Sequence, residues 1–522
     1  MQASYKPGSW DASDRFYNLP AKELESSHWS SITNLDHLSC SDESSQGNCT
    51  LESSSGSAPH HVNDSPSAVR FSPDESPTSK RASVPDSCAQ DHLNDLELKV
   101  RELETVMLGP SSDMPHTGDV NFLVGPGQMS QETETWNELM EIISRRDLKK
   151  ILCACAKAIE DNDTFRFEWL VSELRPMVSV SGDPIQRLSA YMLEGLIARL
   201  AGSGSSIYKA LKCKEPASAE LLSYMHILYE ICPYFKFGYV SANGAIAEAM
   251  KDENIIHIID FQIAQGSQWI TLIQALAARP GGPPCIRITG IDDSGSAYAR
   301  GGGLEIVGQR LSRLAKACRV PFQFYACGVP ASDVEIGHLP IQAGEAIAVN
   351  FPLMLHHIPD ESVCSQNHRD RLIRMAKSLS PKVVTLVEQE SNTNTAPFFS
   401  RFLETLNYYL AIFESIDMAL PREQKERVNV EQHCLARDIV NLIACEGLER
   451  VERHELLGKW RLRFVMAGFS PYPLSSFVNA TIRSLLSSYC DKYTLEERDG
   501  ALYLGWMNRH LVASCAWEVT DI

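Results

Sequence analysis

The chain lacks most features that mark a membrane protein, a secreted protein or a common hydrolase. No run of eighteen apolar residues occurs, so no segment reads as a membrane-spanning helix. The opening stretch, MQASYKPGSWDASDRF, has no basic patch followed by an apolar one, which argues against a secretory leader. The 15 cysteines show no CxxC pair and no His/Cys cluster at zinc spacing, and Cys153 and Cys155 fall within a helical pattern. An odd number without a framework points to reduced thiols, as in the cytosol or nucleus. GxSxG, HExxH and P-loop signatures are all missing. Basic character is scarce as well. The net charge is −18, and residues 1–140 hold 8 Lys/Arg against 22 Asp/Glu, leaving about −4 for the other 382 residues. A protein that grips DNA phosphates unaided usually shows a basic face, and nothing here announces one.

What is present is ordinary for a globular protein: 44% hydrophobic and 22% charged residues, in a chain long enough for a large core. Residues 1–140 are the exception. They are rich in Ser, Pro, Asp and Glu, too apolar-poor to offset chain entropy, and read as a disordered acidic tail. Three Ser-Pro steps there, at Ser65, Ser72 and Ser76, are either kinase sites or linker composition, and Lys80-Arg81 is too short for an import signal. One island, residues 93–108, places Leu96, Val100, Leu103 and Met107 on a single helical face and stops at Gly109-Pro110. It reads either as a docking helix or as a marginal solvated one.

From Trp136 the pattern turns helical. Leu148, Leu152, Leu188, Leu196 and Leu200 recur at helical spacing and are either core or a partner-binding face. Residues 220–250 continue as helix. Then IIHII runs to Asp260, followed by a loop with the single glycine Gly266 and an amphipathic segment from Trp269. Strand, loop and helix make the first half of a βαβ unit, with Asp260 at the edge where parallel sheets bind ligands. Strands at 285–292, 321–327, 345–355 and 382–390 alternate with helices at 303–319, 368–379 and 396–417. Helices follow at 437–447 and 475–489, separated by a mixed stretch, and Asp499-Gly500 marks a closing hairpin. The expected fold class is α/β: a Rossmann-like, methyltransferase-like, mostly parallel sheet with an N-terminal helical cap, a C-terminal antiparallel hairpin and a disordered N-terminal tail.

A working methyltransferase needs a glycine-rich loop after its first strand. Here that loop carries one glycine among bulky neighbours. Asp260, Gly266, Asp292 and Asp293 therefore read as a relic cleft, and the segment from Asn350 through His356 and His357 to Asp360 as fold ancestry. No catalytic residue, cofactor or metal is expected. His454-Glu455 reads as a solvated pair on a helix, and IRSLL at 482–486 as core. The clusters Arg145, Arg146, Lys149, Lys150 and Arg450, Arg453, Lys459, Arg461, Arg463 are read as salt-bridged surface, since Glu449, Glu452 and Glu455 interleave with the second.

These residues resemble the plant GRAS regulators. Ile256, His257, Ile258, Ile259 and Asp260 resemble the family's VHIID motif, with Gln268 and Trp269 following, in a region over 227–292. Leucine-rich stretches at 148–208 and 304–340 are similar to its two leucine-rich regions. Pro381, Tyr408, Tyr409 and Arg437 resemble the PFYRE region (349–443), with Asp438 where Glu is usual. Trp460, Gly468, Trp506, Ser514 and Trp517 resemble the SAW region (446–522), where Cys515 interrupts Ser-Ala-Trp. The likeness spans about 140–522, and LKVRELETVMLGP is similar to the branch linked to phytochrome A signal transduction and its scarecrow-like relatives. The resemblance implies a transcriptional co-regulator in light, hormone or stress signalling and development. It implies action in the nucleus and also the cytoplasm, through other transcription factors and GRAS partners as homo- or heterodimers, with DNA reached mostly indirectly. Alternatives that remain open are a methyltransferase or small-molecule receptor using the relic cleft, and a direct DNA-binding factor.

Overall fold

The computed structural model describes residues 136–200, 202, 218–293 and 303–520. The acidic segment up to 135, with the helix expected over 93–108, lies outside the described residues, as does most of 201–217. Helical structure is already present over 136–144, slightly before residue 140.

Asp147 and Asp163 begin the first two cap helices. Each side chain accepts a hydrogen bond from the backbone N–H three residues on, satisfying a donor that the helix leaves orphaned. The helices are α1 (Leu148–Glu160), α2 (Thr164–Leu174) and α3 (Pro184–Leu200). The helical stretch expected over 220–250 is two helices, α4 (Ser218–Ile231) and α5 (Tyr234–Ala249). They break at Cys232-Pro233 because a proline supplies no N–H to continue the first.

Next comes β1, Ile255–Asp260, buried at every position after the first. Its side chains alternate between two apolar clusters, Ile256 and Ile258 in one and Ile259 in the other. Ala348/Val349 and Val383/Val384 divide the same way, so the sheet is apolar on both faces and must be covered on both. Helices α6 (Ser267–Ala277) and α7 (Gly303–Ala317) cover one face with α5, contributing Trp269, Leu272, Val307 and Leu311. β2 (Cys285–Ile291), β3 (Phe322–Cys327) and β4 (Ala346–Pro352) precede α8 (His368–Ser378), and β5 (Val383–Gln389) precedes the long α9 (Phe398–Ala419). A short α10 (Lys425–Val430) runs through a π-turn into α11 (Ala436–Ala444), and α12 (Leu457–Ala467) packs on α8 over the second face.

The last third is where expectation and structure part. After β6 (Phe469–Tyr472) and α13 (Ser476–Leu486), the Asp499-Gly500 turn joins β7 (Tyr493–Arg498) to β8 (Ala501–Trp506), as the dipeptide predicts. That hairpin does not itself close the sheet. β9 (Arg509–Val519) inserts between β5 and β8, antiparallel to both, giving the order β3-β2-β1-β4-β5-β9-β8-β7 with β6 also on β9. Met507, in the left-handed region at φ 50°, makes the second reversal without a glycine signal.

The cap leucines require a correction. Leu152, Leu188 and Leu196 are fully buried and Leu148 nearly so, all in one cluster with α9, α11 and the tip of β8–β9; of the five, only Leu200, at a helix end, reaches solvent. They are core, because α1 and α3 have the long α9 to pack against and bury their apolar stripes there. Leu196→Ala should therefore lower stability by about 2–5 kcal/mol, read as a shift in the urea midpoint.

Candidate functional site

At the carboxyl end of β1, Asp260 sits almost without solvent contact and, among the described residues, with no cation bonded to it. Three donors hold it instead. Gln262 N and Asn350 Nδ2 bond Oδ1 at 3.2 and 3.1 Å, and Trp269 Nε1 bonds Oδ2 at 2.8 Å. Asn350 also donates to Gln268 Oε1 at 3.0 Å and accepts from Thr385 Oγ1 at 2.8 Å. Gln268 Nε2 reaches Asn243 Oδ1 on α5 at 3.2 Å. One polar network thus ties β1, β4, β5, α5 and α6 together. Burial pushes the Asp260 carboxyl up to about 7 despite those donors.

The rest of the strand motif is equally internal. His257 lies between Glu345 (Nδ1, 2.9 Å) and Thr289 Oγ1 (Nε2, 2.8 Å), and burial lowers its basicity. Gly266 adopts φ 70°, and a Cβ there would meet Val307 at 2.8 Å, so both backbone and packing require glycine. Ile263, buried, rests against Gly290 of β2.

The edge is not wholly filled. A cavity of about 600 Å³ lies between the strand ends and the cap, lined among others by Asp292, Asp293, His356, Tyr409, Asp438 and Glu452. Asp260 itself does not line it. Asp292 is nearly buried and Asp293 exposed. In one wall, His356, Glu452 and His454 place one ligand-type atom each within 4.8 Å of one another. Residue spacing could not show this set, because His356 lies 96 positions from Glu452. The available signal was the alternation in Glu452-Arg453-His454, which puts the first and third on one side of an extended segment.

Two readings of that segment are corrected. Residues 451–456 are not helical, and His454 and Glu455 are buried. Arg450, Arg453 and Arg463 form buried or half-buried ion pairs and hydrogen bonds, not an exposed salt-bridged surface. Arg463 reaches Glu455 at 2.9 Å and Asp370 at 2.7 Å, and Arg450 donates to the carbonyls of Thr393 and Asn394 at 2.8 Å. Arg145 and Lys150 do form surface pairs.

The aromatic and small residues further along are structural in placement. Pro381 is buried beside β5, and Tyr408 donates to Leu511 O at 2.9 Å. Tyr409 and Arg437 line the cavity. Trp460 is buried under the Arg369 guanidinium, 4.8 Å from the ring centroid. Gly468 ends α12 at φ 89°. Trp506 donates to Glu414 at 3.1 Å, Ser514 to Ser241 at 2.7 Å, and Trp517 stacks on Phe464 at 4.9 Å.

Residues 148–518 match the GRAS domain family. The chain belongs to that family. It is 62% identical over 506 residues to the Scarecrow-like transcription factor PAT1 of Arabidopsis thaliana, covering 96% of this chain and 100% of that protein. Chitin-inducible gibberellin-responsive protein 2 of Oryza sativa subsp. japonica is 62% identical over 479 residues, covering 90% of this chain and 87% of that one. Among solved structures, SCL7 of Oryza sativa aligns with a TM-score of 0.63 at 35% identity, over 71% of this chain and 99% of that one. In this GRAS domain the Ile255–Asp260 strand is an interior strand, between β2 and β4, and ends on the Asp260 network.

Asp260→Ala takes the acceptor from Trp269 Nε1 and Gln262 N and one of two acceptors from Asn350 Nδ2, and should cost about 1–3 kcal/mol, measured by urea denaturation. The folded value of this carboxyl exceeds its unfolded value of about 4. Its contribution is thus complete below that pH and is lost as pH rises through about 7. Asp260→Asn should accordingly flatten the stability profile across that window.

Proposed function

We propose that the protein is a plant transcriptional regulator of signalling and development that acts in the nucleus through contacts with other transcription factors, not through catalysis. The observation that carries this reading is the 62% identity across the whole length of a protein named as a Scarecrow-like transcription factor. The relative named chitin-inducible and gibberellin-responsive, and the DELLA protein GAI1 of Vitis vinifera at 36% identity, favour a place in hormone or stress responses. The single glycine in the loop after β1 agrees with a scaffold that no longer cradles a nucleotide.

The partner surface cannot be the cap leucines, which are core. α12 turns Leu462, Val465 and Met466 outward, 64%, 54% and 84% exposed, at i, i+3 and i+4. Lys459 and Arg461 flank them. An apolar helix of another regulator with an acidic rim is the complementary occupant. A specific observation favours one further reading: the 600 Å³ cavity has the size of a small-molecule site, so binding there would make the protein a receptor as well.

The double variant Leu462→Asp/Met466→Asp should keep its thermal midpoint, since both side chains are exposed, and should lose at least tenfold in affinity for a captured transcription-factor partner and in reporter output. Unchanged partner affinity removes the α12 surface. Tight, steeply salt-dependent binding of duplex DNA by the purified chain overturns the protein-contact reading, and turnover with S-adenosylmethionine overturns the non-catalytic one.

A further inference from the structure

The wall of the cavity holds an arrangement that core packing does not account for. His356 stands on the turn after β4, while Glu452 and His454 stand on the extended segment before α12. Glu452 Oε2 faces His356 Nε2 at 3.5 Å and His454 Nε2 at 3.4 Å. These separations exceed a charge-assisted hydrogen bond of about 2.7–2.9 Å. Glu452 Oε2 and His454 Nε2 are both buried without a hydrogen-bond partner. Leaving such groups unmatched is costly.

The far sides of the rings are matched. His356 Nδ1 meets Glu388 Oε2 at 2.6 Å, and Glu388 also accepts from Leu355 N at 2.7 Å. A His356 proton on Nδ1, bonded to Glu388, would leave the Nε2 lone pair on the side of Glu452. His454 Nδ1 lies 3.0 Å from Thr393 Oγ1, a hydroxyl able to accept the ring proton. The second carboxylate oxygen, Glu452 Oε1, is already paired with His357 Nε2 at 3.3 Å. Two imidazole nitrogens and one carboxylate oxygen then face one another, while the cationic partner of Glu452 among the described residues, His357, sits on its other oxygen. Arg369, nearby, is directed at Asp360 and Glu455, at 3.5 and 3.4 Å.

We propose that His356, Glu452 and His454 are the ligands of a divalent transition-metal ion of the zinc type, with a fourth position on the side of the cavity that His356 and Glu452 line. Ligands about 2.0–2.1 Å from a tetrahedral ion stand roughly 3.3–3.4 Å apart, which is the spacing found around Glu452 Oε2. Outer hydrogen bonds from each ligating histidine to a carboxylate or hydroxyl are what such sites use to fix tautomer and ring angle. The ion ties the 450–456 segment to the ends of β4 and β5. It also offers an anionic or carbonyl-bearing molecule in the cavity a point of attachment. Two nitrogens and one oxygen suit zinc, and copper would compete for the same ligands.

The test uses the full chain, freed of metal by a chelator and titrated with Zn²⁺ by calorimetry, with the Co²⁺-loaded form read by optical and X-ray absorption spectroscopy. One equivalent should bind, with nitrogen and oxygen ligands and no sulfur-to-cobalt charge-transfer band. Glu388→Gln should weaken binding roughly 10–100-fold, and Glu452→Gln should abolish stoichiometric binding. Failure of the wild-type chain to bind one equivalent overturns the proposal. So do sulfur ligands from its free cysteines, or a Glu452→Gln affinity equal to wild type. Should the variants not fold, the ligand atoms seen in the wild-type spectrum decide.

Discussion

A buried carboxylate with three donors and, among the described residues, no counter-cation is the constraint around which this fold is assembled. Burying an ionisable group is expensive unless its hydrogen-bonding capacity is met, and Asp260 meets it through Gln262, Trp269 and Asn350. Each donor comes from a different place: the loop, the first turn of α6, and β4. Satisfying one carboxylate therefore sets the angle of α6, the register of β1 beside β4 and, through Gln268 and Asn243, the position of α5. Trp269 is fully buried as a consequence of reaching Asp260.

A second polar layer lies nearer the cavity and works by charge. Arg369, Arg453 and Arg463, with Asp360 and Glu455, hold the 450–456 segment against α8 and α12. Buried ion pairs of this kind contribute little net stability against apolar packing but penalise every arrangement that separates them. They place Glu452 and His454 opposite His356 with little freedom. The two layers divide the labour, one fixing the sheet to its covering helices and the other shaping the cavity at the strand ends.

Much of the architecture was legible because periodicity and punctuation agree along the chain. The runs at 255–260, 285–291 and 383–389 are β-branched and bounded by turns, and they form the strands they predict. The helices between them carry clear apolar stripes. What stayed hidden depends on partners distant in sequence. Leu148, Leu152, Leu188 and Leu196 show the same spacing whether α9 buries them or solvent meets them, and only the tertiary arrangement decides. The insertion of β9 beside β5 could not be read because the Asp499-Gly500 signal specifies its own hairpin and nothing beyond it. His454-Glu455 looked solvated because two charged side chains flanked by charge normally are; the buried Asn394 and Thr393 that receive them lie about sixty positions earlier.

The position of β9 has a consequence for biosynthesis. It is the last strand in chain order, yet it fills an interior slot, bonding β5 on one edge and β8 on the other. Until it emerges from the ribosome, β5 presents an open backbone edge and the β7–β8 pair has no sheet to join. The nascent domain thus passes through an interval in which most of its residues exist but its central seam is unsealed. That interval is where a chaperone would find it, and where a premature stop would leave an aggregation-prone remnant instead of a smaller folded protein.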